Sequence, residues 1–269
     1  MNNQMFGCHW MVWYYIRMLT YFDECYDYNH SYLILGALYN PSVGKVHEDF
    51  LKRKQDEKYF KTDGTLQEIK YNYCVNNKRF RVARGAVDCF KESSSFFRAI
   101  VIDQRPQSGF NLDFFGRPDE PKNMKDARAY KKFTELLLKS NITITNGVLL
   151  TDRISRPRGD VFLSLIREEF GTAGVEYSRD KNEPVFRHIQ EVDTALEQYH
   201  VGQIGDILQG VILNELVPVR NKFKRKLCEY VKGELALPSL GQDYWQPLSK
   251  WEQDAKHHKY QIWYWRPGE

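Results

Sequence analysis

Apolar residues fall in short blocks whose period changes along the chain. Met18 to Asp23 and Tyr32 to Tyr39 are apolar, aromatic and β-branched runs separated by the polar stretch Glu24 to Ser31, the pattern of an antiparallel strand pair. Asn40-Pro41 then reads as an N-cap with proline in the first turn, and Val43, Val46, Phe50 and Leu51 repeat at helical spacing up to the charged run Lys52 to Lys58. Ala83, Val87 and Phe90 put a second helix over Phe80 to Phe90. The unbroken apolar run Ala99 to Ile102 suits a buried, parallel strand.

Helix and strand alternate from there. Asp126 to Lys139 carries Ala127, Tyr130, Phe133, Leu137 and Leu138 in helical period, and Val148 to Asp152 is a short apolar strand ending in an acid. Val161, Phe162, Leu165, Ile166 and Phe170 mark another helix, and Gly174 to Ser178 and Val185 to Val192 read as two further strands. A last helix runs from Val201 to Leu216 on the stripe Ile204, Ile207, Leu208, Val211 and Ile212. An antiparallel pair followed by alternation predicts an α/β domain with a mixed sheet flanked by helices. The domain spans 18–232, after an N-terminal extension of residues 1–17. From Gly233 the periodicity fades, and Trp245, Trp251, Trp263 and Trp265 mix with prolines and charges. The expectation for 233–269 is an aromatic-rich extension that packs over the domain.

Composition narrows the class without naming a chemistry. With 269 residues, 42% hydrophobic and 14% aromatic, the chain is too apolar for a disordered protein, and a net charge of +4 does not announce a polyanion partner. Five cysteines, at 8, 25, 74, 89 and 228, form no C-x-x-C pair, so reduced thiols and a cytoplasmic location are expected. Phe6 to Ile16 is interrupted by His9, ended by Arg17 and too short to span a bilayer, so no membrane association is expected. Neither H-E-x-x-H, G-x-S-x-G nor a P-loop occurs.

The recurring chemical feature is a carboxylate where an apolar strand stops: Asp23, Asp103 and Asp152. In open α/β sheets ligands bind beyond the carboxyl ends of the strands, where several chain ends converge. Clustered carboxylates stay ionised when a cation offsets them, and hard oxygen donors suit Mg²⁺ or Mn²⁺. Each aspartate taken singly also has the simpler use of ending a strand in a turn. Asp206 shares a face of the last helix with Gly202 and Gly210, and Gly205 precedes it. Glycine costs ~1 kcal/mol in a helix interior relative to alanine, so this face calls for close packing or for room beside the acid.

Taken in order, Met18-Leu19-Thr20-Tyr21-Phe22-Asp23-Glu24, the Tyr32 to Leu38 strand, Glu68-Ile69-Lys70, Val148-Leu149-Leu150-Thr151-Asp152 and Gln203-Ile204-Gly205-Asp206-Ile207-Leu208-Gln209-Gly210 resemble the domain of unknown function 3800 family. That family is regarded as ribonuclease H-like, and the resemblance runs from Met18 to Leu216. It implies Asp23, Glu68, Asp152 and Asp206 as catalytic metal ligands, with Asp103 replacing Asp152 or simply ending its strand. Glu24 ranks below Asp23 because it points to the opposite face. The chain departs from the family at Cys25, where serine is usual, and at Gly205, where alanine is usual.

What the resemblance implies is an enzyme. Two Mg²⁺ or Mn²⁺ ions about 3.5–4 Å apart would hydrolyse phosphodiester bonds in RNA, DNA or a hybrid, in bacterial antiviral defence or a mobile element. Lys70, Arg153, Arg156 and Arg158 are expected to meet the nucleic-acid phosphates, with Lys222, Lys224, Arg225 and Lys226 as a second basic segment. Tyr26, Tyr28, Tyr71 and Tyr73 are candidates to stack on bases. The rival expectation is a non-catalytic subunit of the same fold, binding a protein or nucleic-acid partner or a second copy of itself.

Overall fold

The computed structural model describes residues 18–41, 43–139, 146–152, 162–173, 182–243 and 259–268. β1 (Leu19–Tyr26) and β2 (Tyr32–Asn40) form the expected antiparallel pair, followed by α1 (Val43–Asp56), α2 (Asn77–Glu92) and β3 (Phe96–Asp103). After α3 (Lys122–Lys139) come β4 (Gly147–Asp152), α4 (Phe162–Phe170), β5 (Phe186–Val192), α5 (Gly202–Leu216), α6 (Lys222–Glu234) and β6 (Tyr260–Trp265). The strand order is β5-β4-β1-β2-β3-β6. β2 is antiparallel to both neighbours and the other pairings are parallel, which makes a six-stranded mixed sheet.

Both sheet faces are covered. Leu19, Tyr21, Ile34, Leu38, Ala99 and Val101 pack against helices α1, α2, α5 and α6. Phe22, Leu35, Tyr39, Ile100 and Leu149 face α3 and α4 on the other side. Double coverage explains why β2 is buried at every position and reads as a continuous apolar run.

Three expectations are corrected by this topology. Asn40 does not cap α1; it is buried, and its Oδ1 accepts a hydrogen bond from Ser95 Oγ at 2.6 Å. β3 is antiparallel to β2 and parallel to β6, because Tyr260–Trp265 comes back as an edge strand of the sheet and does not lie over it. Residues 222–234 form α6, with Asn221 Oδ1 accepting from the Phe223 and Lys224 amides and Leu227, Cys228 and Val231 buried. The strand expected at Gly174 to Ser178, Trp245, Trp251 and the extension 1–17 lie outside the described residues. Among the described residues no helix is long and apolar enough to cross a membrane.

Candidate active site

Asp23 and Asp152 come together because β1 and β4 are parallel and in register: Phe22 pairs with Thr151, so the two acids follow at the same level on adjacent strands. Alternation puts both on the face shared with Tyr21 and Leu150, towards α5. Glu24 turns the other way and accepts a hydrogen bond from the Tyr130 hydroxyl of α3. Gly36, opposite Asp23 on β2, lets α5 approach. A Cβ there would sit 2.2 Å from Gln209 Nε2, which donates to the Asp23 carbonyl at 2.7 Å.

The other two acids are brought in by a strap, residues 67–73, laid along α5. Gln203 Oε1 accepts from the Ile69 amide at 3.0 Å, and Asp206 Oδ1 accepts from the Tyr71 amide at 2.6 Å. Ile69 and Tyr71 are buried, so Glu68 and Lys70 are the half-buried residues between them. The helix glycines serve this fit. Gly210 lies against the Tyr71 ring, where a Cβ would be 2.1 Å from Cγ, and Gly202 lies against Tyr21 and Thr194. Close aromatic packing, not empty space beside Asp206, is what these glycines provide.

Lys70 lies between two of the carboxylates and within the field of the other two. Its Nζ lies 3.3 Å from Glu68 Oε1 and 3.4 Å from Asp152 Oδ2. Burial alone would lower its pKa; the charges of Asp152, Glu68, Asp206 and Asp23 outweigh it and raise it. Asp152 also accepts from the Thr194 amide at 3.3 Å. Lys70 therefore points into the acids, not outwards to a phosphate.

The acids carry the cost of their crowding. Burial first, then the charges of Asp206 and Asp152, push the Asp23 carboxyl well above the usual range. Asp206 is raised to about 6, chiefly by burial, with the Tyr71 amide and Lys70 holding it down and Glu68 and Asp152 pushing it up. Cys25, on the Asp23 face, is raised by burial and by the same aspartates. It is therefore a neutral thiol, unsuited to attack as a thiolate.

Asp103 does not join them. Asp23 is level with Gly36 and Ala99 across the sheet, and Asp103 lies four residues beyond Ala99, or ~13 Å along the strand. Its carboxylate is gripped by Arg105, Nε to Oδ1 at 2.9 Å and Nη2 to Oδ2 at 2.7 Å. It ends its strand, as the simpler alternative had it. Arg153, Arg156 and Arg158 lie outside the described residues. Of the tyrosines, Tyr71 is buried and unavailable for stacking, Tyr26 and Tyr73 are partly exposed, and Tyr28 is exposed.

Beneath the strap lies a buried cation that the sequence did not mark. Lys54 Nζ donates to the Gln67 carbonyl at 3.1 Å and to Gln203 Oε1 at 2.6 Å, and lies 3.0 Å from His200 Nδ1. Burial brings its pKa down to about 7, against the pull of Glu68 and Glu197. His200 falls to about 3, through burial and then the charge of Lys54. The contacts fit a neutral ring, with Nδ1 accepting from Lys54 and Nε2–H donating to the Ala195 carbonyl.

A histidine held neutral in the fold has a defined pH signature. Between about 3 and 6.5 the unfolded chain binds a proton at His200 that the folded chain does not. Its contribution is thus complete above pH 6.5 and is lost as the pH falls towards 3. In thermal unfolding from pH 7 to 4, wild type is expected to lose more midpoint temperature than His200→Gln. Equal slopes would show that His200 does not titrate this way.

No protein family matches the chain, and no curated protein or solved structure does.

The donor set of Asp23, Glu68, Asp152 and Asp206 is all carboxylate oxygen, suited by chemistry to a hard divalent cation. Asp23 and Asp206 are raised first by burial and then by the charges of neighbouring acids, which Lys70 counters at Asp206. Among the described residues, no group of three or more His, Cys, Asp or Glu side chains is placed so that it could hold a metal ion. Cation binding by these carboxylates therefore requires them to rearrange.

Proposed function

We propose that the protein is a metal-dependent nuclease of ribonuclease H-like fold that hydrolyses phosphodiester bonds. The observation that carries this reading is the placing of Asp23 and Asp152 side by side on parallel strands, with Lys70 ion-paired to Asp152 and Glu68, and with Asp206 facing them from α5 closely enough to act on the charge of each. The acids lie at the carboxyl ends of parallel strands, where ligand sites of open α/β sheets are found.

Asp23, Glu68, Asp152 and Asp206 would hold Mg²⁺ or Mn²⁺, and Asp23 and Asp206 would give up any proton they carry. When bound, two such ions supply activation of water and charge stabilisation on the leaving oxygen. Tyr71, through its amide, fixes the Asp206 carboxylate, and Gln209 fixes the β1 backbone at Asp23. Lys70, released from Glu68 and Asp152, is then within the site to meet a phosphate oxygen.

The test is incubation of wild type and Asp206→Asn with single-stranded, duplex and hybrid substrates in Mg²⁺, Mn²⁺ or chelator. Cleavage by wild type with metal, absent from the variant and the chelated sample, is the expected result. Metal-independent cleavage, or cleavage kept by the variant, overturns the reading.

A second reading, a non-catalytic subunit binding a partner, draws on Lys70 itself, which neutralises Glu68 and Asp152 without any metal. It predicts a melting temperature indifferent to Mn²⁺.

A further inference from the structure

One side of the candidate site is basic and aromatic, and the nuclease reading leaves that surface unused. The strap ends in a short 3-10 turn, Tyr71–Tyr73, after which the chain enters α2. α6 starts beside the same turn: Asn221 Nδ2 reaches the Val75 carbonyl at 3.5 Å, and the Phe80 and Phe223 rings lie 6.3 Å apart. Cations from both helices thereby collect around the turn.

Lys224 Nζ lies 5.0 Å from the Tyr71 ring centroid and 3.2 Å from Asn72 Oδ1. Burial lowers its pKa, with Cys74 and then Asp206 pulling the other way. Arg79 lies 5.9 Å over the Tyr73 ring and donates to the Tyr73 carbonyl at 3.4 Å. Tyr73 keeps 40% of its surface exposed, and Lys222, the first residue of α6, is exposed. Lys224 thus lies against Tyr71, whose amide holds Asp206, and Arg79 lies over Tyr73, two residues further along the same turn.

We infer that Asn72, Tyr73, Arg79, Lys222 and Lys224 form the track along which a single strand of RNA or DNA reaches the carboxylates. This deepens the nuclease reading and rests on it for the strand's destination. An unpaired base can stack on the outer part of Tyr73 while Lys222, Lys224 and Arg79 meet its flanking phosphates, the combination of ring and cations that sequence-tolerant single-strand binding uses. A duplex keeps its bases stacked inward and leaves Tyr73 without a partner, so single strands are the favoured class. The basic segment that serves is the second of the two marked in the sequence.

The test is fluorescence anisotropy with a labelled 12-nucleotide single strand and the matching duplex, in chelator so that no cleavage occurs. Wild type is expected to bind the single strand at least tenfold more tightly than the duplex. Tyr73→Ala is expected to weaken single-strand binding about tenfold, and Tyr73→Phe to keep it. Lys222→Gln is expected to lower the slope of log affinity against log salt by about 0.7, and the Lys222→Gln, Lys224→Gln pair by about twice that.

Lys222 is exposed, so its variant reads the contact even if the Lys224 change disturbs the fold. No single-strand binding, equal duplex binding, unaltered binding by Tyr73→Ala or an unaltered salt slope overturns the track. Binding as expected with no cleavage by wild type in Mn²⁺ overturns the nuclease reading and leaves the track in place.

Discussion

Asp23→Asn is expected to raise the melting temperature of the metal-free protein while abolishing its metal-dependent cleavage. Burial and the charges of Asp206 and Asp152 oppose ionisation of Asp23, so at neutral pH the folded chain bears a strain that asparagine relieves. A gain of about 1 kcal/mol is a reasonable size, which in a chain of this length raises the midpoint by ~2–4 °C. The same change removes a ligand. Cleavage is expected to fall about 1,000-fold or more, equivalent to ~4 kcal/mol of transition-state stabilisation. A purely structural aspartate predicts the opposite pair, a lower midpoint and no dependence on Mn²⁺. Opposed changes in stability and activity are the mark of a site kept strained for function.

Gly210→Val is expected to be the most damaging single change on α5. A Cβ at Gly210 would lie 2.1 Å from Tyr71 Cγ and 2.2 Å from Tyr71 Cβ. The Tyr71 Cβ is tied to its backbone, so no ring rotation relieves the clash and the strap itself must lift. The Tyr71 amide then leaves Asp206, and the neighbouring bond from Ile69 to Gln203 is strained. Overpacking costs ~1–3 kcal/mol and the added methyls of valine put this towards the upper end, offset by only a few tenths of a kcal/mol on exchanging a helix glycine for valine, for a net of about 2 kcal/mol.

The expected fall in midpoint is therefore ~4–8 °C. Gly205→Ala is the control: its Cβ would meet only the Leu38 Cβ, at an ordinary 3.6 Å, so that variant is expected to be neutral or more stable by up to ~1 kcal/mol. If Gly210→Val melts with wild type, or Gly205→Ala loses as much, the close approach of strap and helix is wrong.

The strand pair β1–β2, helices α2, α3 and α5, and strand β4 were legible because their periodicity comes from burial on a defined face. Asp23 and Asp152 could be read for the same reason: each ends an apolar run, and parallel pairing then sets them side by side. Asp103 carries the identical signal and sits elsewhere, because strand order and register are not written in a local pattern; Arg105, two residues on, was the available clue. β6 was missed because Tyr260–Trp265 is apolar at all but one position and shows no alternation, being covered on both faces.

Lys54 lies in a run of charges that reads as solvated. Only the fold supplies the three acceptors that let it be buried, and Phe50, one turn earlier on the same face, was the faint signal. The glycines of α5 were seen as wanting a reason; Tyr71 is that reason for Gly210 and Tyr21 with Thr194 for Gly202, while Gly205 has ordinary room for a methyl.

The most direct measurement is a calorimetric titration of Mn²⁺ into wild type and Asp206→Asn at pH 5.5 and pH 7.5. Asp206, raised to about 6, is largely protonated at the lower pH and must release that proton to bind a cation. Wild type is predicted to bind Mn²⁺ more tightly at pH 7.5, with proton release at pH 5.5, and Asp206→Asn to bind at least tenfold more weakly at pH 7.5. Absence of Mn²⁺ binding by wild type, or binding that Asp206→Asn leaves unchanged, would contradict a metal centre built on these four carboxylates.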